Sequence, residues 1–396
     1  MTSYLIRRSF QMLFVVILST IAIYLLLNAV PGGPLAGLGR DSGDQKSRLT
    51  ETDIKRIEAT LGLNKPIYLR YLTWLSGEDW VDEVGSALGN PGSADSMFFT
   101  GTWVDYQSPT CQAAGGTNIG ADPDRDLPCS RGIVRWDFGE SWSLARGQSV
   151  SDIIAGRFMN TVRLMTAVVV LSLLIAIPIG IISAVRQYSL LDYFVTSFSF
   201  FGIAMPVFWF GLLLILFFSI QFQRWGIPFF PTGDVTTQRI LPGSLQDVLN
   251  IEKESIGDYI LHLILPVAML SLASVAGWSR FMRSSMLEVL RQDYVRTARA
   301  KGLRERVVII KHAARNALIP IVTIVVFAIP NIFSGAVLTE TVFNYPGMGR
   351  LFVNALSRND WPIVMAFLFI SAILVVIATL IGDVLYTIVD PRIRFE

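Results

Sequence analysis

Apolar residues in this chain neither alternate at the period of a strand nor mark one stripe of a surface helix; they come in long unbroken runs. Six stretches, at residues 10–30, 164–185, 193–223, 259–279, 316–339 and 361–382, contain no Asp, Glu, Lys or Arg. Each spans 21 residues or more, and about 20 helical residues cross a hydrocarbon core of roughly 30 Å. The pattern predicts an all-α integral membrane protein with six transmembrane helices. The run 193–223 is longer than one crossing needs, so part of it must tilt or extend beyond the lipid. Pro178, Pro206, Pro266, Pro320 and Pro330 fall within apolar runs, and each is expected to kink its helix.

Composition follows from those runs: 52% of the 396 residues are hydrophobic and 16% charged, where a soluble domain carries about 25%. The net charge is only +2, so its distribution matters more than its sum. Short loops rich in Lys and Arg stay in the cytoplasm. Arg7 and Arg8 precede the first run, Arg392 and Arg394 follow the last, and 280–315 holds 10 basic against 3 acidic residues. Six crossings put all three regions on one side, which predicts a cell-membrane protein with both termini cytoplasmic. The chain then divides into 1–30 (cytoplasmic tip and first helix), a long extracytoplasmic loop 31–160, a five-helix core 161–390 with a cytoplasmic loop 280–318, and a tail 391–396. Arg163, at the outer mouth of the second helix, can snorkel to the headgroups. The first run exceeds the 7–15 apolar residues of a signal peptide, and no small-x-small cleavage site follows it, so it is expected to be retained.

Several chemistries are excluded or disfavoured. None of the six lysines follows a glycine, so no phosphate-binding Gly-x4-Gly-Lys loop exists. His262 and His312 are not spaced as metal ligands with the cysteines, and neither a Ser/His/Asp set nor a supported carboxylate pair is visible. The chain is expected to bind no cofactor, metal or nucleic acid and not to be an enzyme. Ion-coupled carriers need ionisable groups inside the membrane. Only His262 and Asp383 qualify here, both near an interface, so energy must come from elsewhere.

The basic loop offers a route. In DYVRTARAKGL (293–303), Asp293 can serve as N-cap and Gly302 as C′ residue of a helix of about two turns. Tyr294 and Ala298 would share one side (i, i+4), with Arg296 and Arg299 turned elsewhere. A capped helix between two membrane spans is a lever on which a partner can push.

DYVRTARAKG followed by HAARNALIP resembles the cytoplasmic loop of the permease subunits of ATP-binding-cassette importers, and specifically the B-type subunit of oligopeptide/dipeptide systems. The general pattern Glu-Ala-Ala, three residues, Gly, nine residues, Ile-x-Leu-Pro reads here as Arg296-Thr297-Ala298, Gly302 and, at the closing proline, Arg315. Those departures fit the peptide branch. Further likeness lies in VPGGP (30–34), LGLNKPIYLRYLTWL (61–75), WDFGESW (136–142), MPVFW (205–209), ETVFNYPGMGRL (340–351) and DPRIR (390–394). The resemblance implies a type I importer transmembrane domain working by alternating access, with peptide as cargo. The same subfamily also carries nickel complexes, glutathione and oligosaccharides. It implies as partners two ABC ATPase subunits that use ATP and Mg, a second homologous permease, and an extracytoplasmic substrate-binding protein that meets the 339–362 segment. Asp293, Tyr294, Arg296, Thr297, Ala298, Lys301, Gly302 and Leu303 become the ATPase-coupling residues. Gly202, Pro206, Pro330 and Asn331 become candidates for the translocation pathway, ordinary packing kinks being the alternative. A channel or scaffold whose basic loop binds anionic lipid is the rival of another class.

The resemblance skips about 76–135, an acidic insert with 9 Asp/Glu against 3 Arg and both cysteines. Outside the cytoplasm Cys111 and Cys129 are expected to form a disulfide, stabilising by about 3 kcal/mol in the chain-entropy account. Asp122, Asp124 and Asp126 alternate like a calcium loop, but Leu127 and Ile133 stand where the EF-hand needs Gly and Glu, so solvated loop is the reading.

Overall fold

The computed structural model describes residues 2–29, 67–76, 132–145, 147–325 and 337–389. Cys111, Cys129, the Asp122–Asp126 alternation, Pro330 and Asn331 lie outside these. Among the described residues helices dominate and no strand forms, only two isolated bridges. In chain order they are α1 (Thr2–Asn28), α2 (Ile67–Ser76), α3 (Val150–Val185), α4 (Leu190–Ala204), α5 (Val207–Arg224), α6 (Leu245–Val248), α7 (Ile256–Leu290), α8 (Asp293–Ala300), α9 (Glu305–Ala317), α10 (Ile319–Val325), α11 (Val337–Val342), α12 (Met348–Ser357) and α13 (Trp361–Val389). Five helices are long and apolar enough to cross a membrane: α1 from Phe10, α3, α5, α7 and α13 to Gly382. The pair α9–α10, bent by 45°, makes a sixth if it counts as one span.

The third apolar run departs from expectation. It does not tilt as one helix but breaks at Met205-Pro206 into α4 and α5. Met205 and Pro206 are both extended (ψ 127° and 121°), as the clash of a proline ring with its predecessor demands. Pro178 and Pro266 lie instead inside the continuous helices α3 and α7. Three helices share one start signal. Ser189, Ser244 and Ser255 each accept a hydrogen bond from the backbone N–H of the Asp three residues on. A side-chain oxygen thereby satisfies one of the N–H groups a helix leaves unpaired.

The chain forms two compact units. In the one made of Met1–Leu13, Arg157–Leu351 and Ile373–Glu396, α7 is the central post. Helices approach it closely where residues are small: a Cβ at Gly180 of α3 would lie 2.7 Å from that of Met282, and one at Gly202 of α4 3.1 Å from that of Ala276. Ser199 and Ser279 face each other across the same α4–α7 contact. Such small-residue contacts let backbones meet where lipid gives no hydrophobic drive. One buried cluster gathers Ala184, Met282, Met286, Val295, Ala298, Val308, Ala313, Ala314, Ala317 and Ile321 around the basic-loop end of α7. Another gathers Leu164, Val168, Leu214, Leu265, Val267, Met269, Phe343 and Tyr345 nearer its start.

The other unit comprises Phe14–Gly156 and Phe352–Ala372. Here α2 docks on α1 through Tyr71, whose hydroxyl lies 2.9 Å from Thr20 Oγ1, and through aromatic contacts of Trp74 with Tyr24 and Phe369. Asp360, fully buried, accepts hydrogen bonds from the Ser141 hydroxyl and from the backbone N–H groups of Trp142, Ser143 and Leu144. The end of the WDFGESW stretch and the two residues after it (141–144) are thereby wrapped around one carboxylate.

Candidate functional site

The basic loop folds as the short helix α8 and the turn into α9. Its N-cap is Gln292, extended and without a side-chain cap bond, and Asp293 is the first helical residue. The expected Asp293 cap is therefore corrected. A residue already in helical dihedrals cannot direct its carboxylate onto the following N–H groups, so Asp293 acts through its charge at the positive helix end. At the other terminus Lys301 is the C-cap and Gly302 follows at φ +73°, its N–H donating to Arg299 O at 2.9 Å. A left-handed residue past the C-cap is where glycine avoids the Cβ clash. Arg299 then forks onto Glu305, with Nη2 2.7 Å from Oε1, and its guanidinium holds the Glu305 carboxyl below the usual range.

The two faces of α8 differ sharply. Val295 and Ala298 are buried among Met282 and Met286 of α7, Val308, Ala313 and Ala314 of α9, and Ile321 of α10. The expected pairing of Tyr294 with Ala298 is half right. At 100° per residue Ala298 lies between Tyr294 and Val295, and the underlying helices cover the Val295 side, leaving Tyr294 42% exposed. Arg296, Thr297, Arg299, Lys301, Gly302 and Leu303 also stay exposed. Beside Tyr294 opens a cavity of about 560 Å³, lined by Lys311, His312, Arg315, Ile319 and Val322. α8 is thus rigidly seated below and cationic above.

Of the proposed pathway residues, Pro206 sits at the α4–α5 break and Gly202 is buried at the α4–α7 crossing. They do not join the α8 constellation.

Sequence reading passed over one charged cluster altogether. Asp192, 3% exposed, lies in the first turn of α4. Its carboxylate accepts Arg283 Nε (2.8 Å) and Nη2 (2.9 Å) from α7, the Ser183 hydroxyl from α3, and the Tyr188 backbone N–H (3.0 Å). The guanidinium, chiefly, holds this carboxyl far below its ordinary range despite burial. Arg283 lies between Met282 and Met286, which pack under α8. The only local signal was Ser189-x-x-Asp192, a helix start.

The far end of α7 is built on other carboxylates. Asp258 accepts from the Thr237 backbone N–H (2.9 Å) and hydroxyl (2.8 Å) and from the Glu254 N–H (3.0 Å). His262 joins them, with Nε2 2.9 Å from Thr237 Oγ1 and Nδ1 against Gly233 O. Fully buried Glu340 accepts from the Thr161 hydroxyl (3.0 Å) and the Arg350 N–H (2.8 Å). A Cβ at Gly347 would collide with that carboxylate, which explains the glycine in the Pro346–Gly349 turn. Tyr345 donates to Asn160 O at 3.1 Å, and burial pushes its phenol above the ordinary value. Arg163 lies over the Tyr259 ring, 5.0 Å from its centroid, a specific contact and not merely a snorkelling side chain.

Comparison with known proteins adds identity to this geometry. The family described as "Binding-protein-dependent transport system inner membrane component" matches residues 176–395. The oligopeptide transport system permease protein AppB of Bacillus subtilis (strain 168) is 37% identical over 395 residues, covering the whole of both chains. The dipeptide transport system permease protein DppB of Escherichia coli (strain K12) is 35% identical over 273 residues, 67% of this chain and 79% of its own. The di/tripeptide transport system permease protein DppB of Pseudomonas aeruginosa (strain UCBPP-PA14) is 40% identical over 268 residues, 67% and 78% respectively.

Proposed function

The chain belongs to the inner membrane components of binding-protein-dependent transport systems, and from that premise we propose that it is the permease subunit of an ATP-driven importer carrying di- and oligopeptides into the cell. The relatives' names support the cargo class. The observation that carries the mechanism is α8 itself. Its underside is locked to α7, α9 and α10 through Val295 and Ala298, while Tyr294, Arg296, Thr297, Lys301 and Leu303 face away. A partner pressing on that face moves the helices beneath it, because a close-packed interior transmits displacement instead of absorbing it.

In this reading two ATPase subunits, loaded with ATP and Mg, close on each other and carry α8 with them. The spans on either side tilt, and a cavity shared with a second permease opens outward to a docked binding protein. Hydrolysis returns it inward. The basic loop and both termini then lie in the cytoplasm, as the Lys/Arg distribution supports. This chain contributes no nucleotide chemistry of its own.

The test is reconstitution of the permease pair with its ATPases and binding protein in liposomes. ATP-dependent uptake of labelled di- and oligopeptides is the expected result. Arg296→Glu with Lys301→Glu on the exposed face should abolish uptake and ATPase retention while leaving insertion intact. Failure of the purified chain to retain any ATPase subunit, or passive flux through it alone, would overturn the importer.

A further inference from the structure

The Asp192–Arg283 pair lies where α3, α4 and α7 meet beside the seat of α8. Each donor to the Asp192 carboxylate comes from a different piece of chain: Ser183 from α3, Tyr188 from the α3–α4 turn, Arg283 from α7. Tyr188 is itself held at φ +60°, a conformation that costs a bulky residue free energy and that the hydrogen bond to Asp192 maintains. Around this hub the helices touch closely. Gly180 of α3 meets Met282, and Ser199 and Gly202 of α4 meet Ser279 and Ala276.

An ion pair whose carboxylate is buried while its guanidinium side chain stays 27% exposed is a poor device for stability alone, since desolvation of the carboxylate offsets much of the Coulomb gain and solvent screens the arginine. What a bidentate Arg–carboxylate pair supplies is orientation. Two parallel N–H···O bonds fix the angle as well as the distance between their carriers. Small-residue packing lets one helix slide along another; a fork does not. Met282 and Met286, the two side chains of α7 buried under α8, bracket Arg283 in sequence. Displacement of α8 therefore reaches Arg283 within one turn of α7.

We propose that Asp192 and Arg283 are positioning residues that clamp α4 to α7, so that force entering at α8 moves α4, the first half of the third apolar run, together with α7. The inference rests on the coupling role proposed above for α8. Because α4 ends at the Met205-Pro206 break, the moving body includes α4 and stops at a hinge before α5. The pair turns one driven helix into two.

The experiment uses the complete reconstituted complex. Cys111 and Cys129 are replaced by Ser, and spin labels are placed at Leu190→Cys on α4 and Ser284→Cys on α7, both exposed positions. In the otherwise unaltered chain the 190–284 distance should stay constant between the nucleotide-free and ATP-trapped states. In Arg283→Gln it should change with nucleotide, basal ATP hydrolysis should persist, and uptake should fall about tenfold or more, the usual scale of a coupling free energy. Arg283→Lys, which keeps charge but loses the fork, should fall between. A distance that shifts with nucleotide in the unaltered chain, or uptake unaffected in Arg283→Gln, overturns the clamp. Should Arg283→Gln fail to assemble, Ser183→Ala removes one donor and leaves the ion pair. A partial loss of uptake there supports the clamp, and wild-type uptake assigns the cluster to folding alone and overturns it. An unaltered complex that takes up no peptide with ATP counts against the proposed function. A working complex indifferent to these changes counts against the clamp only.

Discussion

The two ends of α7 solve opposite problems with opposite chemistry. At its start, loops must hold one shape, and buried carboxylates do it. Asp258 and Glu340 each collect backbone N–H and hydroxyl donors from segments far away in sequence. At its end, α8 is held from below by apolar and small side chains and leaves its cations uncovered. A carboxylate saturated with donors has nothing left for a partner; an apolar seat uses none of the polar groups above it. The difference separates a surface shaped for itself from one kept open for something else. Asp192 and Arg283 lie between these designs, a saturated carboxylate placed beneath the open surface.

The comparison can be broken first at the apolar seat. Ala298→Asp puts an unpaired carboxylate among Met282, Met286 and Val308 and should destabilise the α8 seat by about 3–5 kcal/mol, the scale of an uncompensated buried charge. Proteolytic cleavage of the 291–304 segment in membranes reads this directly, and cleavage no faster than in the unaltered chain would show that the seat is not packed as described. Next in size is the far end. Glu340→Ala orphans the Thr161 hydroxyl and the Arg350 N–H, at about 3 kcal/mol in all, and should lower the melting temperature of detergent-solubilised protein without affecting ATPase retention. Gly302→Val forces a β-branched residue into a left-handed turn with open space around it, so the cost is conformational, about 1–2 kcal/mol. It should reduce coupled uptake more than thermal stability. Arg299→Gln breaks an exposed pair and should change stability by less than about 1 kcal/mol.

The smallest effect is one of pH. The Asp192 carboxyl titrates below its unfolded value of about 3.9, so its stabilisation is complete at neutral pH, persists in mild acid and is lost only as pH falls through the lowered folded value. The melting-temperature difference between wild type and Asp192→Asn should therefore stay constant from about pH 5 to pH 8. A difference that closes within that range would show a carboxyl not held by Arg283.

Much of α8 was legible because its signals are local. The eight helical residues Asp293–Ala300, closed by Lys301 and a left-handed Gly302, carry a start and stop readable from the sequence, and ten cations within 280–315 mark the loop that holds them. The misplaced cap and the half-right face both turned on a single helical position, below what propensity resolves. The proline behaviour was legible only in part: the break at Pro206 agrees with the expected kink, but nothing in the sequence set it apart from the others. Pro178, Pro206 and Pro266 have similar apolar neighbours, yet only Pro206 ends a helix, since whether a freed carbonyl is tolerated depends on what packs beside it.

By itself the sequence determined the membrane class, most of the crossing segments and the basic loop, because hydrocarbon tolerates no charged run and a helix needs only its own backbone. Tertiary structure alone decided which carboxylates became hubs. Arg283 lies 91 residues from Asp192, Glu340 lies 179 from Thr161, and Asp360 lies 219 from Ser141. A hydrogen bond specifies its partner by position in space, and position across such separations exists only once the helices have packed.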